Sequence, residues 1–402
     1  MDHASATDGM RVALVHDFLL DLRGAERVLL ALCEMYPQAD VFTAVYDPVG
    51  TQGRFEGRRV VTSSLQRLRP TADNFRPLLP FYPGAIEALD LRGYDLVVSS
   101  SSAWAHGVLP DENAVHVCYC HNPFRYAWNE REATLAARGA VTRTALAQIL
   151  RRWRQWDFIA AQRVDAYVAN SQTTRQRIER YFAREATVIH PPVEISRFEP
   201  GPVGDHYLVL SELMAHKRIE VAVRAFTELG LPLVVAGNGP DARRLQRLAG
   251  PTVRFVGRVS DQEAERLLQG CRALVVCATE EFGIAAVEAQ AAGRPVIALR
   301  AGGLLETVVE GETGVFFDRP EPDVLAAAVE SFDPMAISPE RCVEQARHFG
   351  PGRFRERFGE VVEATVQSAR GGSQQGHQTR PAGPNRRGRR RGLALQAGRI
   401  RA

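Results

Sequence analysis

The chain has 402 residues, 45% hydrophobic and 24% charged, with a formal net charge of +3. This is the profile of a globular protein of two or three domains, and no run approaches the ~20 consecutive apolar residues of a membrane span. The charge is uneven: nine arginines and no acids lie from Arg370 onward, and taking those nine from +3 leaves −6 on residues 1–369.

In chain order, residues 1–9 lack a basic region followed by an apolar one and read as a loose leader rather than a signal peptide. Arg11–Val15 is a short apolar run typical of a buried parallel strand, and a helix is expected from Gly24 to Tyr36. Further strands are expected at Tyr94–Ser100, Ala114–Cys120 and Asp165–Asn170, each bounded by turn residues, while 62–92 is rich in Pro and Arg and less regular. Arg143–Arg163 reads as a helix in which Arg151, Arg152, Trp153, Arg154 and Trp156 interleave. Such a face suits anionic lipid headgroups, or else sets its tryptophans in the core. His190-Pro191-Pro192-Val193 forbids a helix and marks the joint between two halves.

In the second half, strands are expected at His206–Ser211, Leu231–Ala236, Val253–Val256, Ala273–Cys277 and Pro295–Leu299. The helices between them are Lys217–Leu229, Asp241–Leu248, Asp261–Gln269, Gly283–Ala292 and Leu304–Glu310. This alternation means parallel sheets covered on both faces, hence α/β architecture with two doubly wound, Rossmann-like domains. Closing helices over Pro339–Ala369 are broken at Gly350-Pro351-Gly352. The boundaries are a leader 1–9, an N-terminal domain 10–193, a C-terminal domain 194–350, a closing helix 351–369 packing back on the first domain, and a disordered basic tail 370–402. The six scattered cysteines lie mostly in apolar runs, fit buried thiols, and point to a reducing cytoplasm.

The most informative stretch is Ala278–Gly293. Glu280 and Glu288 stand eight positions apart, with Phe282-Gly283 where a strand gives way to a helix. A continuous helix would separate the two acids by about 12 Å, the scale of a nucleotide sugar. The amides opening that helix suit a diphosphate between them, and a carboxylate is an acceptor able to grip two neighbouring hydroxyls. Glu281 is expected to face solvent. Glycine at 24 admits close backbone approach to phosphate or acceptor, and Gly302-Gly303 precede a helix whose amides could meet the donor.

Glu280–Gly293, His216-Lys217-Arg218-Ile219, Ala236-Gly237-Asn238-Gly239-Pro240 and Ala301–Val308 resemble glycosyltransferase family 4. Val15-His16-Asp17, Gly24-Ala25-Glu26-Arg27 and Cys120–Tyr126 are similar to its mannosyltransferase-like branch, and the motifs run in order from Met10 to Ala369. The resemblance implies the GT-B architecture, two Rossmann-like domains facing a cleft, and metal-independent transfer with retention at the anomeric carbon. It implies Glu280 on the donor sugar, Glu288 on the ribose, Lys217 on the diphosphate and His121 near the reacting carbon. Phe282, Gly283, Ile284, Gly302, Gly303, Arg218 and Arg258 complete the donor site, with Gly24 and Asp17 in the acceptor or phosphate loop. No metal ligands and no cofactor beyond the nucleotide-sugar substrate are expected.

Two positions depart from the family pattern. Arg23 stands where the first of two glycines is common, and Glu212 stands where an arginine five positions before Lys217 is usual. Glu212 is expected to turn away or pair with Arg218, so that one phosphate ligand is missing or another cation such as Arg258 replaces it. The resulting expectation is a cytoplasmic, peripherally membrane-associated hexosyltransferase. It would carry mannose from GDP-mannose to a glycan or lipid-linked glycan in cell-surface polysaccharide biosynthesis; nucleic acid is not an expected partner. The alternatives are an inactive nucleotide-sugar-binding scaffold, kept open by Glu212, and a GT-B sugar-nucleotide epimerase.

Overall fold

The computed structural model describes residues 7, 9–136 and 138–376, without side-chain detail for 372–376. Most of the leader and the arginine-rich part of the tail, including Arg386–Arg391, therefore lie outside the described residues.

The first domain holds β1 (Val12–His16), β2 (Asp40–Thr43), β3 (Val60–Thr62), β4 (Leu96–Ser101), β5 (Val115–Cys120), β6 (Ala166–Ala169) and β7 (Ala186–Val188) in one parallel sheet of order β3-β2-β1-β4-β5-β6-β7. The second holds β8 (Tyr207–Leu210), β9 (Leu233–Ala236), β10 (Val253–Gly257), β11 (Leu274–Val276), β12 (Val296–Leu299) and β13 (Gly314–Phe317), of order β10-β9-β8-β11-β12-β13. Each order reverses once, between β1 and β4 and between β8 and β11. In open parallel sheets the crevice at that reversal, beyond the carboxyl ends of the strands, is where ligands bind. Strands β2, β3, β7 and β13 were not expected. Each has only three or four residues, too few to give a periodic signal of its own, and forms because a neighbouring strand offers a paired edge.

The helices of the first domain are α1 (Gly24–Met35), α2 (Tyr82–Glu87), α3 (Arg131–Ala136), α4 (Ala140–Ala161) and α5 (Gln172–Phe182). Those of the second are α6 (Ile219–Leu229), α7 (Ala242–Leu248), α8 (Asp261–Gly270), α9 (Ile284–Ala291), α10 (Leu304–Thr307), α11 (Pro322–Ser331) and α12 (Pro339–Arg347). The last helix, α13 (Pro351–Gly376), packs Phe354, Phe358, Val362 and Val366 into the core of the first sheet beside Leu14 and Val117. It runs past 369, so the first residues assigned to a disordered tail are helical. The chain thus crosses between domains twice, and the crossings are tied: the Val193 amide donates to the Phe349 carbonyl at 2.9 Å.

In α4 the tryptophans face inward. Trp153 packs on Trp104, and Trp156 donates its indole N–H to Glu87 at 2.9 Å. The outer face instead exposes Val141, Ile149, Phe158 and Ile159 among Arg143, Arg151 and Arg152. All six cysteines are free and buried. No helix among the described residues is long and apolar enough to cross a membrane.

Candidate active site

The two strand reversals face one cleft of about 970 Å³ lined from both domains. On the second-domain side, the chain leaves β11 and Glu280 forms a single parallel bridge with Gly302. The Gly303 amide donates to the Glu280 carbonyl at 2.8 Å. A Cβ at 302 would lie 2.2 Å from that carbonyl oxygen, and one at 303 would lie 2.4 Å from the Glu281 oxygen and from the Phe282 Cα. These glycines therefore clamp the backbone that carries Glu280, and the amide of Gly303 is already used. This corrects the expectation that both meet the donor directly; neither lines the cleft.

Glu280 itself sits before α9 rather than in it, so the separation of a continuous helix does not apply. Its two carboxylate oxygens accept from the Lys217 ammonium at 2.8 and 2.7 Å. Lys217 ends a 3-10 turn, Ala215–Lys217, instead of opening α6. Arg218 follows in a left-handed conformation (φ 51°), is exposed and lies outside the cleft lining, contrary to its expected place in the donor site. His216 turns into the cleft region, its Nε2 3.2 Å from Arg125 Nη1.

Gly283 takes φ 96°, favoured by glycine alone, and turns the chain sharply into α9. The first-turn amides of Ile284 and Ala285 have no intrahelical acceptor and meet the cleft at the positive end of the helix. Across the cleft, Gly24 opens α1. A Cβ there would stand 2.7 Å from Ile284 Cδ1, so the two helix N-termini approach each other closely, and a side chain at 24 would have to displace the Ile284 side chain. One turn into α9, Glu288 lines the cleft and its carboxylate has no hydrogen-bond partner among the described residues. Burial raises its pKa, and Arg27 and Arg197 only partly offset this. An unsatisfied desolvated acid destabilises the empty protein. Because the folded pKa lies above the unfolded one, this group favours folding most at low pH and less as pH rises through the folded value. Glu288→Gln is therefore expected to raise the melting temperature at pH 7 and to flatten its fall with pH above 4.5. It should also weaken nucleoside diphosphate binding about 10- to 100-fold, the worth of hydrogen bonds to a charged acceptor. Melts across pH and titration calorimetry check both.

On the first-domain side, His121 follows β5. Its Nε2 lies 2.8 Å from Ser100 Oγ, which lies 3.1 Å from His16 Nδ1, and His16 Nε2 lies 3.5 Å from Glu26. Burial, and then His16, push the His121 pKa down to about 3, so it is neutral at physiological pH. Glu26 also accepts the Arg23 amide at 2.9 Å, closing the start of α1. Asp17 is 1% exposed and its carboxylate accepts from the amides of Ser102, Ala103, Trp104 and Ala105. With all four sites taken, it shapes the loop after β4 and is not a phosphate or acceptor ligand as expected.

Three acids near the cleft, Glu212, Asp21 and Glu281, are paired across the domains. Glu212 binds Arg23 (2.6 Å) and not Arg218. Asp21 holds Arg23 (3.2 Å) and Arg258 through the same oxygen. Burial raises the Asp21 pKa, but the two guanidiniums bring it below the usual range. Arg258 does line the cleft. Glu281 is drawn in, not solvent-facing, by Arg125 at 3.4 Å and Arg177 at 3.1 Å. Burial raises its pKa, yet these cations and Lys217 lower it overall. Arg177 and Asp21 had no signal in the sequence, since one of three arginines on α5 and an aspartate before a glycine turn read as surface. His190 holds Glu306 at 2.9 Å and stacks on Phe282, while His106 is buried against Asp157, so both support the framework.

Two family models match the chain: Glycosyltransferase Family 4 over residues 22–197 and Glycosyl transferases group 1 over residues 197–349. Among curated relatives, a GDP-mannose-dependent alpha-(1-6)-phosphatidylinositol monomannoside mannosyltransferase of Mycolicibacterium smegmatis is 32% identical over 192 residues, covering 40% of this chain and 50% of the relative. D-inositol 3-phosphate glycosyltransferase 2 of Catenulispora acidiphila is 28% identical over 248 residues, covering 51% and 57%. The chain spans about half the length of the curated relatives it matches. Among solved structures, sucrose-phosphate synthase of Thermosynechococcus elongatus superposes with a TM-score of 0.71 at 19% identity, covering 89% of this chain and all of that one. Anabaena HepE in complex with UDP and glucose superposes with 0.63 at 17% identity, covering 88% and 99%. At such identities the likeness is one of fold.

Proposed function

Because the chain belongs to glycosyltransferase family 4 and has the GT-B architecture, we propose that it transfers a hexose from a nucleotide sugar to a glycan or lipid-linked glycan. The arrangement that carries this reading is the interdomain cleft, where the Lys217–Glu280 pair, the open amides of α9 and the partnerless Glu288 converge. Glu288 is placed to take a ribose diol, the logic by which an acid grips ribose in dinucleotide folds. The α9 amides and Lys217 neutralise the diphosphate as it leaves. Glu280 then exchanges its lysine contact for sugar hydroxyls.

The finer proposal is mannose from GDP-mannose, supported by the donor in the printed name of the Mycolicibacterium relative. The reaction proposed is retaining and metal-independent, the leaving phosphate taking the acceptor proton while neutral His121 orients the reacting end. The first domain takes the acceptor, and the outer face of α4, apolar residues among arginines, is suited to rest on an anionic membrane surface where a lipid-linked acceptor lies. The pairing of Glu212 with Arg23 weakens the scaffold alternative, since the departure at 212 is matched by a cation that the first domain brings to the cleft.

The test is incubation with a panel of nucleotide sugars and membrane lipids, reading nucleoside diphosphate release and the anomeric configuration of the product. Release from GDP-mannose, with retained configuration and in the presence of chelator, is the expected result. Release from another donor overturns the mannose assignment, and none from any donor overturns the transferase reading.

A further inference from the structure

The two departures from the family pattern, Arg23 and Glu212, are in direct contact although 189 positions and a domain boundary separate them. Resting on the nucleotide-sugar reading above, we infer that Arg23 is a donor-diphosphate ligand supplied from the first domain, and that Glu212 is its place-holding counter-ion while the cleft is empty.

Three observations support it. Arg23 lines the same cleft as Ile284 and Ala285, whose amides open α9, and it immediately precedes Gly24, which stands against Ile284. Its donors are divided: Nε and Nη2 are held by buried Asp21, each at 3.2 Å, while Nη1 points to Glu212 at 2.6 Å. A guanidinium offers its donors in a rigid fork, so Asp21 fixes the plane and the Nη1 edge remains for exchange. Glu212 is the weaker partner, its side chain 42% exposed against 8% for Asp21, and a half-exposed ion pair adds little stability. An entering phosphate can thus displace Glu212 without disturbing Asp21. Arg258, on the same Asp21 oxygen, is held from the second domain. A diphosphate bound by Arg23 and by the α9 amides would bridge both domains, so donor binding would favour a closed cleft.

A simple interdomain latch makes a different prediction, because then both partners matter equally. Wild type, Arg23→Gln and Glu212→Gln are titrated calorimetrically with GDP, UDP and ADP and with the matching monophosphates, and each variant is melted to confirm folding. Arg23→Gln is expected to weaken the preferred diphosphate about 10- to 100-fold and to shrink its advantage over the monophosphate. Glu212→Gln is expected to bind that diphosphate at least as tightly as wild type. Equal weakening by both variants, or no weakening by Arg23→Gln, overturns the inference. Failure of wild type to bind any diphosphate overturns the underlying reading instead.

Discussion

Glu280→Ala is expected to lower the rate of sugar transfer at least about 100-fold, with a melting temperature close to that of wild type. The side chain and the backbone at this position have separate tasks. The backbone carbonyl holds the Gly303 amide and the bridge to Gly302, and alanine keeps both. Among the described residues the carboxylate binds only Lys217. Its loss leaves the ammonium without a counter-ion in the empty cleft and removes the acceptor that aligns the donor sugar. Losing one preorganised group that acts on the transition state typically costs 10²–10³ in rate. Nucleoside diphosphate release under single-turnover conditions measures the effect. Unchanged release would remove Glu280 from the reaction and leave it as a structural anchor for Lys217.

Asp17→Ala should have its large effect on stability. Four amides in the turn after β4 lose their acceptor together, at a position 1% exposed where water does not replace it. Buried donors left unsatisfied cost about 1–3 kcal/mol each, less than additively when the loop relaxes. A loss of at least about 3 kcal/mol is expected, seen as a fall of roughly 6–12 °C in the melting of the first domain. Asp17→Asn should lose less, because one oxygen still accepts while the new amide group opposes two donors. Donor affinity measured on the folded fraction should stay near wild type in both variants. A large loss of affinity without loss of stability would return Asp17 to the phosphate loop.

The contrast between Asp17 and Glu280 shows how far the sequence could be read. Both are acids just beyond an apolar strand, and both belong to motifs of the same family. Neighbouring residues in sequence do not say whether four amides of a loop 85 to 88 positions away will converge on one of them. The same blindness set Glu281 in solvent, because Arg125 and Arg177 reach it from the other domain. It also assigned Gly302 and Gly303 to the donor, when their lack of side chains serves the approach of two backbone segments. Short edge strands such as β3 and β7 escaped notice because pairing with a neighbour, rather than any pattern of their own, makes them strands.

What the sequence determined by itself is the alternation of apolar runs and amphipathic helices, hence two parallel sheets, and the order of motifs at the carboxyl ends of their strands. Those are local properties, written in hydrophobic period and turn residues. What the tertiary structure decided is the partner of the charges around the cleft. Lys217 rests on Glu280, Arg23 spans the cleft to Glu212, and Glu288 is left with none. Ion pairing acts through space between groups far apart along the chain: Lys217 and Glu280 meet only once the second domain has folded, and Arg23 and Glu212 only once the two domains face each other.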